Sequence, residues 1–305
     1  MKAIVTGASG VLGSAVRRVF ESSQVDVLPL SFSRTGDGLV QLDLTNRADV
    51  RNKFAEFKPE WVIHCAAERR PDVAGAGGLD LKNPEGTKTL NSEVPGYLAE
   101  LSKELNFTLV YISTDYVFDG TNPPYSPRST PNPLNLYGKQ KRGGEEAILS
   151  AQSAQAVVLR VPILYGPAPK NTDSAVNCLL DIVHDRSGKK YTMDHFATRY
   201  PTNVIDIAKF LRRLTDIKKP LPEILHYSGD EPYTKYEMCL VFAKILELPH
   251  DHIIPNADPP SAAEATSRPR DCQLDTSATE ALGLEGGLEL CLFEEWWANH
   301  LKTQK

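Results

Sequence analysis

No stretch of this chain approaches the ~20 consecutive apolar residues of a membrane-spanning helix. A strand-like segment starting at residue 2 leaves no space for a leader peptide, so a cytoplasmic protein is expected. Positive charge is also in short supply, with 34 Lys and Arg against 39 Asp and Glu. A nucleic-acid-binding face normally announces itself as a basic domain, and the pairs Arg69-Arg70 and Lys189-Lys190 are too short to make one. The five cysteines (65, 178, 239, 272 and 291) form no C-x-x-C pair. Their odd number and a reducing compartment argue against structural disulfides. His250 and His252 are close but lack a third ligand nearby in sequence, so no metal site is expected. Length is not lacking: 305 residues, 41% of them hydrophobic, can bury one large core or a core with an appended lobe.

The opening KAIVTGASGVLGSAV gives a β-branched strand over 2–6, a turn with glycines at 7, 10 and 13, and then a helical pattern. Strand, glycine turn and helix in that order suit a dinucleotide pyrophosphate. Glycines let the backbone approach the phosphates, and a helix N-terminus offers free N–H groups and the positive end of its dipole. Gly7, Ser9, Gly10, Val11, Leu12 and Gly13 are the expected contacts.

Strands read near 2–6, 25–31, 60–65, 107–113 and 155–161, and helices near 12–22, 46–57, 88–105 and 137–152. Thr45 or Asn46 would cap the second helix, and Pro59 marks its end. This is an α/β chain, a doubly wound parallel (Rossmann) sheet whose ligand crevice lies at the carboxyl ends of its strands. Residues 1–165 form the dinucleotide-binding part. Residues 166–305 form a smaller C-terminal α/β lobe, with 200–216 returning to the sheet. In that lobe helical runs fit 173–186, 203–216 and 234–247, a strand fits 224–229, and 255–271 is rich in Pro, Ala and Ser. The stretch 287–301 is amphipathic, and Trp296 and Trp297 either pack it down or anchor a partner. The glycine-rich segment 74–86 reads as a flexible insertion, whereas five prolines restrain 119–135.

Thr114, Tyr137 and Lys141 carry the chemistry. Tyr137 and Lys141 stand four apart and share a helix face, and Thr114 ends the apolar run LVYIST. A tyrosine is a poor acid at neutral pH, with an ordinary pKa of about 10. An ammonium one turn away favours the phenolate, and a neighbouring threonine hydroxyl can hold a carbonyl oxygen. Together they form a proton relay for reducing a ketone. The cofactor choice rests on LSFSRTG, where the second strand ends without an acidic residue for a ribose 2′-hydroxyl. Ser33, Arg34 and Thr35 suit a 2′-phosphate instead, which favours NADP(H). Asp43 and Leu44 would flank the adenine.

Gly-x-x-Gly-x-x-Gly, Tyr-x-x-x-Lys and the threonine on the preceding strand resemble the extended short-chain dehydrogenase/reductase family over essentially the whole chain. STDYVFDGTNPPY and LYGKQKRGGE look like its dTDP-4-dehydrorhamnose reductase branch. HCAAERRPDV, RVPILYG, MDHFATRYPTNVIDIA, YTKYEM and RPRDCQLD look closer to the regulatory β-subunit family of methionine adenosyltransferase. That resemblance implies a reductase fold that binds NADP and associates with the catalytic subunit forming S-adenosylmethionine. It also points to Cys65, Ala66, Ala67 and Arg69 as further cofactor contacts, with Leu164 by the nicotinamide.

Three functions fit: the regulatory subunit, a nucleotide-sugar 4-ketoreductase, or a reductase of another small carbonyl compound. HFATRYPTN favours the first, because the sugar reductases typically carry glycine where this chain has Arg199. Arg199, Arg268 and Arg270 could each meet a diphosphate, or equally form structural ion pairs. The ending EEWWANHLKTQK does not clearly match the segment with which that family docks on its partner.

Overall fold

The computed structural model describes residues 1–68, 87–153, 155–260 and 268–303. Strands β1 (Lys2–Thr6), β2 (Asp26–Ser31), β3 (Val40–Gln41), β4 (Trp61–His64), β5 (Thr108–Thr114), β6 (Ala156–Val161) and β10 (Ile224–His226) form one parallel sheet. Their order is 10-6-5-4-1-2-3, and the short strands β7 (Leu164–Tyr165), β8 (Tyr191–Asp194), β9 (Thr202–Asn203) and β11 (Ile253–Asn256) pair outside this sheet. From β1 the chain winds outward through β2 and β3, then crosses back to lay β4 on the other side of β1. The reversal opens a crevice beyond Thr6 and His64, which are paired in register.

Both faces of the sheet are covered, so its strands are apolar nearly throughout. On one face Val5, Val110 and Leu159 pack under α1 (Val11–Ser22) and the helix Val204–Leu214. On the other, Ile4, Val62, Leu109 and Val158 meet Phe54, Leu98 and Ile148 of the helices Arg47–Phe57, Val94–Leu105 and Leu136–Ser150. The alternation of Ile4 with Val5 and of Leu109 with Val110 is the period-2 pattern of a two-faced sheet. Asn46, not Thr45, caps the second helix, accepting the Asp49 N–H at 3.3 Å.

A separate apolar cluster forms from Tyr165, Leu179, Val183, Met238, Phe242, Phe293 and Trp297. The helices Cys178–His184, Lys235–Leu246 and Phe293–Lys302 supply most of it. Three expectations need correction. The expected helix 88–105 is interrupted by a π turn at Thr89–Glu93. The expected helix 173–186 is a 3₁₀ turn, Asn171–Asp173, followed by the short helix from Cys178. The strand expected over 224–229 ends at His226. Trp297 is buried against Phe242 and Tyr165, so it is a core residue and presents no surface to a partner. No helix among the described residues is long and apolar enough to cross a membrane.

Candidate active site and cofactor crevice

The glycine turn is fixed by close packing. Gly7 has φ +63°, and a Cβ there would lie 2.7 Å from the Ala66 nitrogen. A Cβ on Gly13 would overlap the Gly7 carbonyl. The turn thus sits directly against the end of β4, where Ala66 N–H donates to Thr6 Oγ1 at 3.3 Å. Helix α1 starts at Gly10 with no side-chain cap and no acidic residue in its first turn. An uncapped helix end beside a glycine turn fits a pyrophosphate, and Ser9, Val11 and Leu12 stand with Gly7, Gly10 and Gly13 there.

Ser33, Arg34 and Thr35 are exposed beyond β2. Arg34 Nη1 donates to Ser9 O at 2.6 Å, which brings the arginine over the glycine turn. Asp43 is exposed and closes its own turn, accepting Thr45 N–H and Oγ1–H at 2.9 and 2.7 Å, while Leu44 is buried. Cys65, Ala66 and Ala67 follow β4 at the crevice floor, and burial pushes the Cys65 thiol up to about 12. Burial thus disfavours the thiolate form of this cysteine. Leu164 lies half-buried in a two-residue strand, β7 (Leu164–Tyr165), paired with β9 (Thr202–Asn203). Arg69 and the segment 74–86 lie outside the described residues.

Thr114 is the last residue of β5, and Tyr137 and Lys141 lie on the helix that follows, capped by Asn135 through the Gly138 N–H at 2.8 Å. The fold therefore brings Lys141 against β5 at Ile112 and the Tyr137 ring beside Tyr116, two residues on from Thr114. Their local chemistry differs from the expectation in two respects. Lys141 is buried, its Nζ donating to Ile112 O at 2.6 Å and lying 3.9 Å from the centre of the Tyr111 ring. Burial lowers its pKa to about 7, with Glu145 opposing the shift, so near neutrality this lysine is only partly an ammonium. Thr114 Oγ1 donates to Asp115 Oδ1 at 3.0 Å and accepts the Tyr116 N–H at 3.2 Å. Its hydroxyl proton is committed to Asp115 and would have to turn to hold a carbonyl.

Asp115, Tyr116 and Asn91 escaped the sequence reading. Asp115 is buried, and burial raises its pKa to about 6 against the pull of Arg199. Tyr116 sets its ring edge toward Tyr137, centroids 6.4 Å apart. Both residues stand beside Thr114 in STDYVF, and that adjacency was the available signal. Asn91 sits in the π turn and accepts the Glu68 N–H at 2.9 Å. Its amide donates to Glu68 O at 3.0 Å and Gln140 Oε1 at 2.9 Å. It ties the crevice floor to the tyrosine helix, a use of π turns common near sites.

The three arginines separate. Arg199 is buried with its guanidinium 5.5 Å from the Tyr116 ring, donating from Nη1 to Thr198 O and Pro269 O at 2.8 and 3.0 Å. Arg268 and Arg270 are exposed, and Arg270 lies 5.4 Å from the Phe196 ring. Among the described residues none of the three makes a salt bridge, and Arg199 is the one packed beside Tyr116, just after β5.

The sequence matches the RmlD substrate binding domain over residues 1–303. The chain belongs to that family. It is 40% identical to the methionine adenosyltransferase 2 subunit beta of Bos taurus and 43% identical to that of Xenopus tropicalis. Each match spans 93% of this chain and 83% of the relative. A dTDP-4-dehydrorhamnose reductase of Clostridium acetobutylicum superposes with a TM-score of 0.81 at 23% identity, covering 100% of this chain and 99% of that one. The Bacillus anthracis reductase, crystallised with NADP, gives 0.80 at 25% identity with the same coverage. The described residues thus share the fold of these reductases.

Proposed function

We propose that this chain is an NADP(H)-binding regulatory subunit of a methionine adenosyltransferase, built on a reductase fold and working in S-adenosylmethionine biosynthesis. The observation that carries this reading is identity of 40–43% to the β subunits across 93% of the chain. A probable dTDP-sugar 4-ketoreductase of Streptomyces antibioticus reaches only 34% over 62% of it. NADP(H) is supported by the NADP bound to the Bacillus anthracis relative, by the uncapped glycine-turn helix and by Arg34 in place of an acid. Five free thiols suit a reducing cytoplasm. The partner is the synthetase's catalytic subunit. Mixed at micromolar concentration, the two should co-elute from a sizing column as a species larger than either. Separate elution across a range of salt concentrations would overturn the partner assignment.

The gathering of Thr114, Tyr137 and Lys141 beside the crevice favours a second reading, a nucleotide-sugar 4-ketoreductase. Bound NADPH would supply hydride to the carbonyl carbon. Tyr137 would deliver the proton to the carbonyl oxygen, Thr114 would hold that oxygen, and Arg199, Arg268 and Arg270 would be available to the diphosphate. Oxidation of NADPH in the presence of a 4-keto-6-deoxy nucleotide sugar, without association with the synthetase, would decide for this enzyme.

A further inference from the structure

Arg34, the residue read above as the 2′-phosphate contact, already has a carboxylate partner. Its Nη2 donates to both oxygens of Asp173, at 3.0 and 3.2 Å, while Nη1 holds Ser9 O. The two partners differ in freedom. Arg34 is exposed in a loop where Gly36, Asp37 and Gly38 all have positive φ. Asp173 is buried in the turn Asn171–Asp173. That turn is pinned on each side: Asp173 N–H donates to Lys170 O at 2.9 Å, Ser174 Oγ to Leu164 O at 2.8 Å, and Asn171 Nδ2 to Asp181 Oδ1 at 2.7 Å. The carboxylate is fixed and the guanidinium can move.

A 2′-phosphate that reaches Arg34 must share the guanidinium with a fixed negative charge or draw the arginine off it. A ribose 2′-hydroxyl meets no such opposition. We propose that Asp173 is a specificity-determining residue: its carboxylate competes with the 2′-phosphate of NADP(H) for Arg34 and so limits the preference for NADP(H) over NAD(H). The proposal rests on the dinucleotide-binding reading above and assigns Asp173, 139 residues away in sequence, to the phosphate site. Arg34 is substantially exposed while Asp173 is buried, so losing the arginine side of the pair costs little, and Asp173→Asn keeps a hydrogen-bonding group at the buried position.

Calorimetric titration of the full chain with NADP⁺, NAD⁺ and 2′,5′-ADP at fixed ionic strength tests it. Asp173→Asn should tighten NADP⁺ and 2′,5′-ADP by about three- to tenfold, the scale of one partly exposed charge pair. NAD⁺ affinity should stay unchanged. In an Arg34→Ala background the same substitution should have no effect, because the group competed for is gone. Asp173→Ser removes the charge with a smaller side chain and must show the same selectivity. If the wild type binds NADP⁺ and the Asp173 variants bind it equally well or less well, or gain equally for NAD⁺, the competition does not exist. If the wild type binds neither dinucleotide, the cofactor reading falls and this proposal with it.

Discussion

At the scale of single residues, the conflict at Lys141 is instructive. Spacing marks it as the ammonium that acidifies Tyr137, yet its seat under Tyr111 and against the Ile112 carbonyl is nearly dry. An ordinary lysine titrates near 10.4, whereas this one is lowered to about 7 by burial. Between those values the unfolded chain holds one more proton than the folded one, so stability rises with pH across that window. The ligand-free protein should gain roughly 2–3 kcal/mol between pH 7 and pH 9 from this group alone. Urea unfolding of wild type against Lys141→Met checks it: the variant should lose that part of the slope, and parallel curves would show an ordinary lysine. Tyr137→Phe is a separate matter, because the ring keeps its shape and only the proton donor goes. That change should leave NADP⁺ affinity within about twofold and abolish any carbonyl reduction. A parallel loss of cofactor affinity, read by calorimetry, would make Tyr137 a binding residue.

Among elements, the long strands and helices of the first half were legible because their apolar residues keep a period of two or 3.6 and stop at caps, glycines and prolines. The parallel Rossmann sheet read from that alternation is borne out by the strand order. Short pairings were not legible. Strands β7 with β9, and Tyr191–Asp194 with Ile253–Asn256, run two to four residues each and exist because tertiary packing aligns them. The Arg34–Asp173 contact was equally invisible, since nothing local links residues so far apart. Nor does composition reveal a π turn, because its extra residue is held by contacts made elsewhere. Here those contacts include the three side-chain hydrogen bonds of Asn91. Removing them with Asn91→Ala takes these bonds from the half-buried Glu68 N–H and carbonyl, and should cost about 1–2 kcal/mol. Chemical denaturation measures the cost, and the same variant should weaken NADP⁺ binding, since the residues after β4 form the crevice floor. A change under about 0.5 kcal/mol would mean that water replaces the side chain without loss.

For the molecule as a whole, buried ionisable groups set the pH range in which it stays folded. His226 is buried where β10 meets the rest of the sheet. Its Nδ1 lies 3.1 Å from Asp275 O, a group that can only accept, and its Nε2 lies 3.3 Å from Arg160 Nη1, which can only donate. The ring is therefore neutral, with its proton on Nδ1. Charging Nε2 would remove the acceptor and set a second cation against a guanidinium that already pairs with buried Glu145 at 2.8 Å. Burial, reinforced by Arg160, lowers the His226 pKa to about 4, and burial with Lys141 lowers His64 to about 3. From pH 6.5 down to 4 the unfolded chain takes up these protons and the folded one does not, so stability falls with pH. Each histidine accounts for roughly 3 kcal/mol over that range, and Asp115, raised to about 6, offsets part of it in the opposite sense. Net acid loss of a few kcal/mol between pH 6.5 and 4.5 is the expected outcome of denaturant titrations. His226→Asn offers a donor and an acceptor that do not titrate, so it should be less stable than wild type at pH 7 and lose less on acidification. If the two proteins lose stability in parallel, His226 does not set the acid limit.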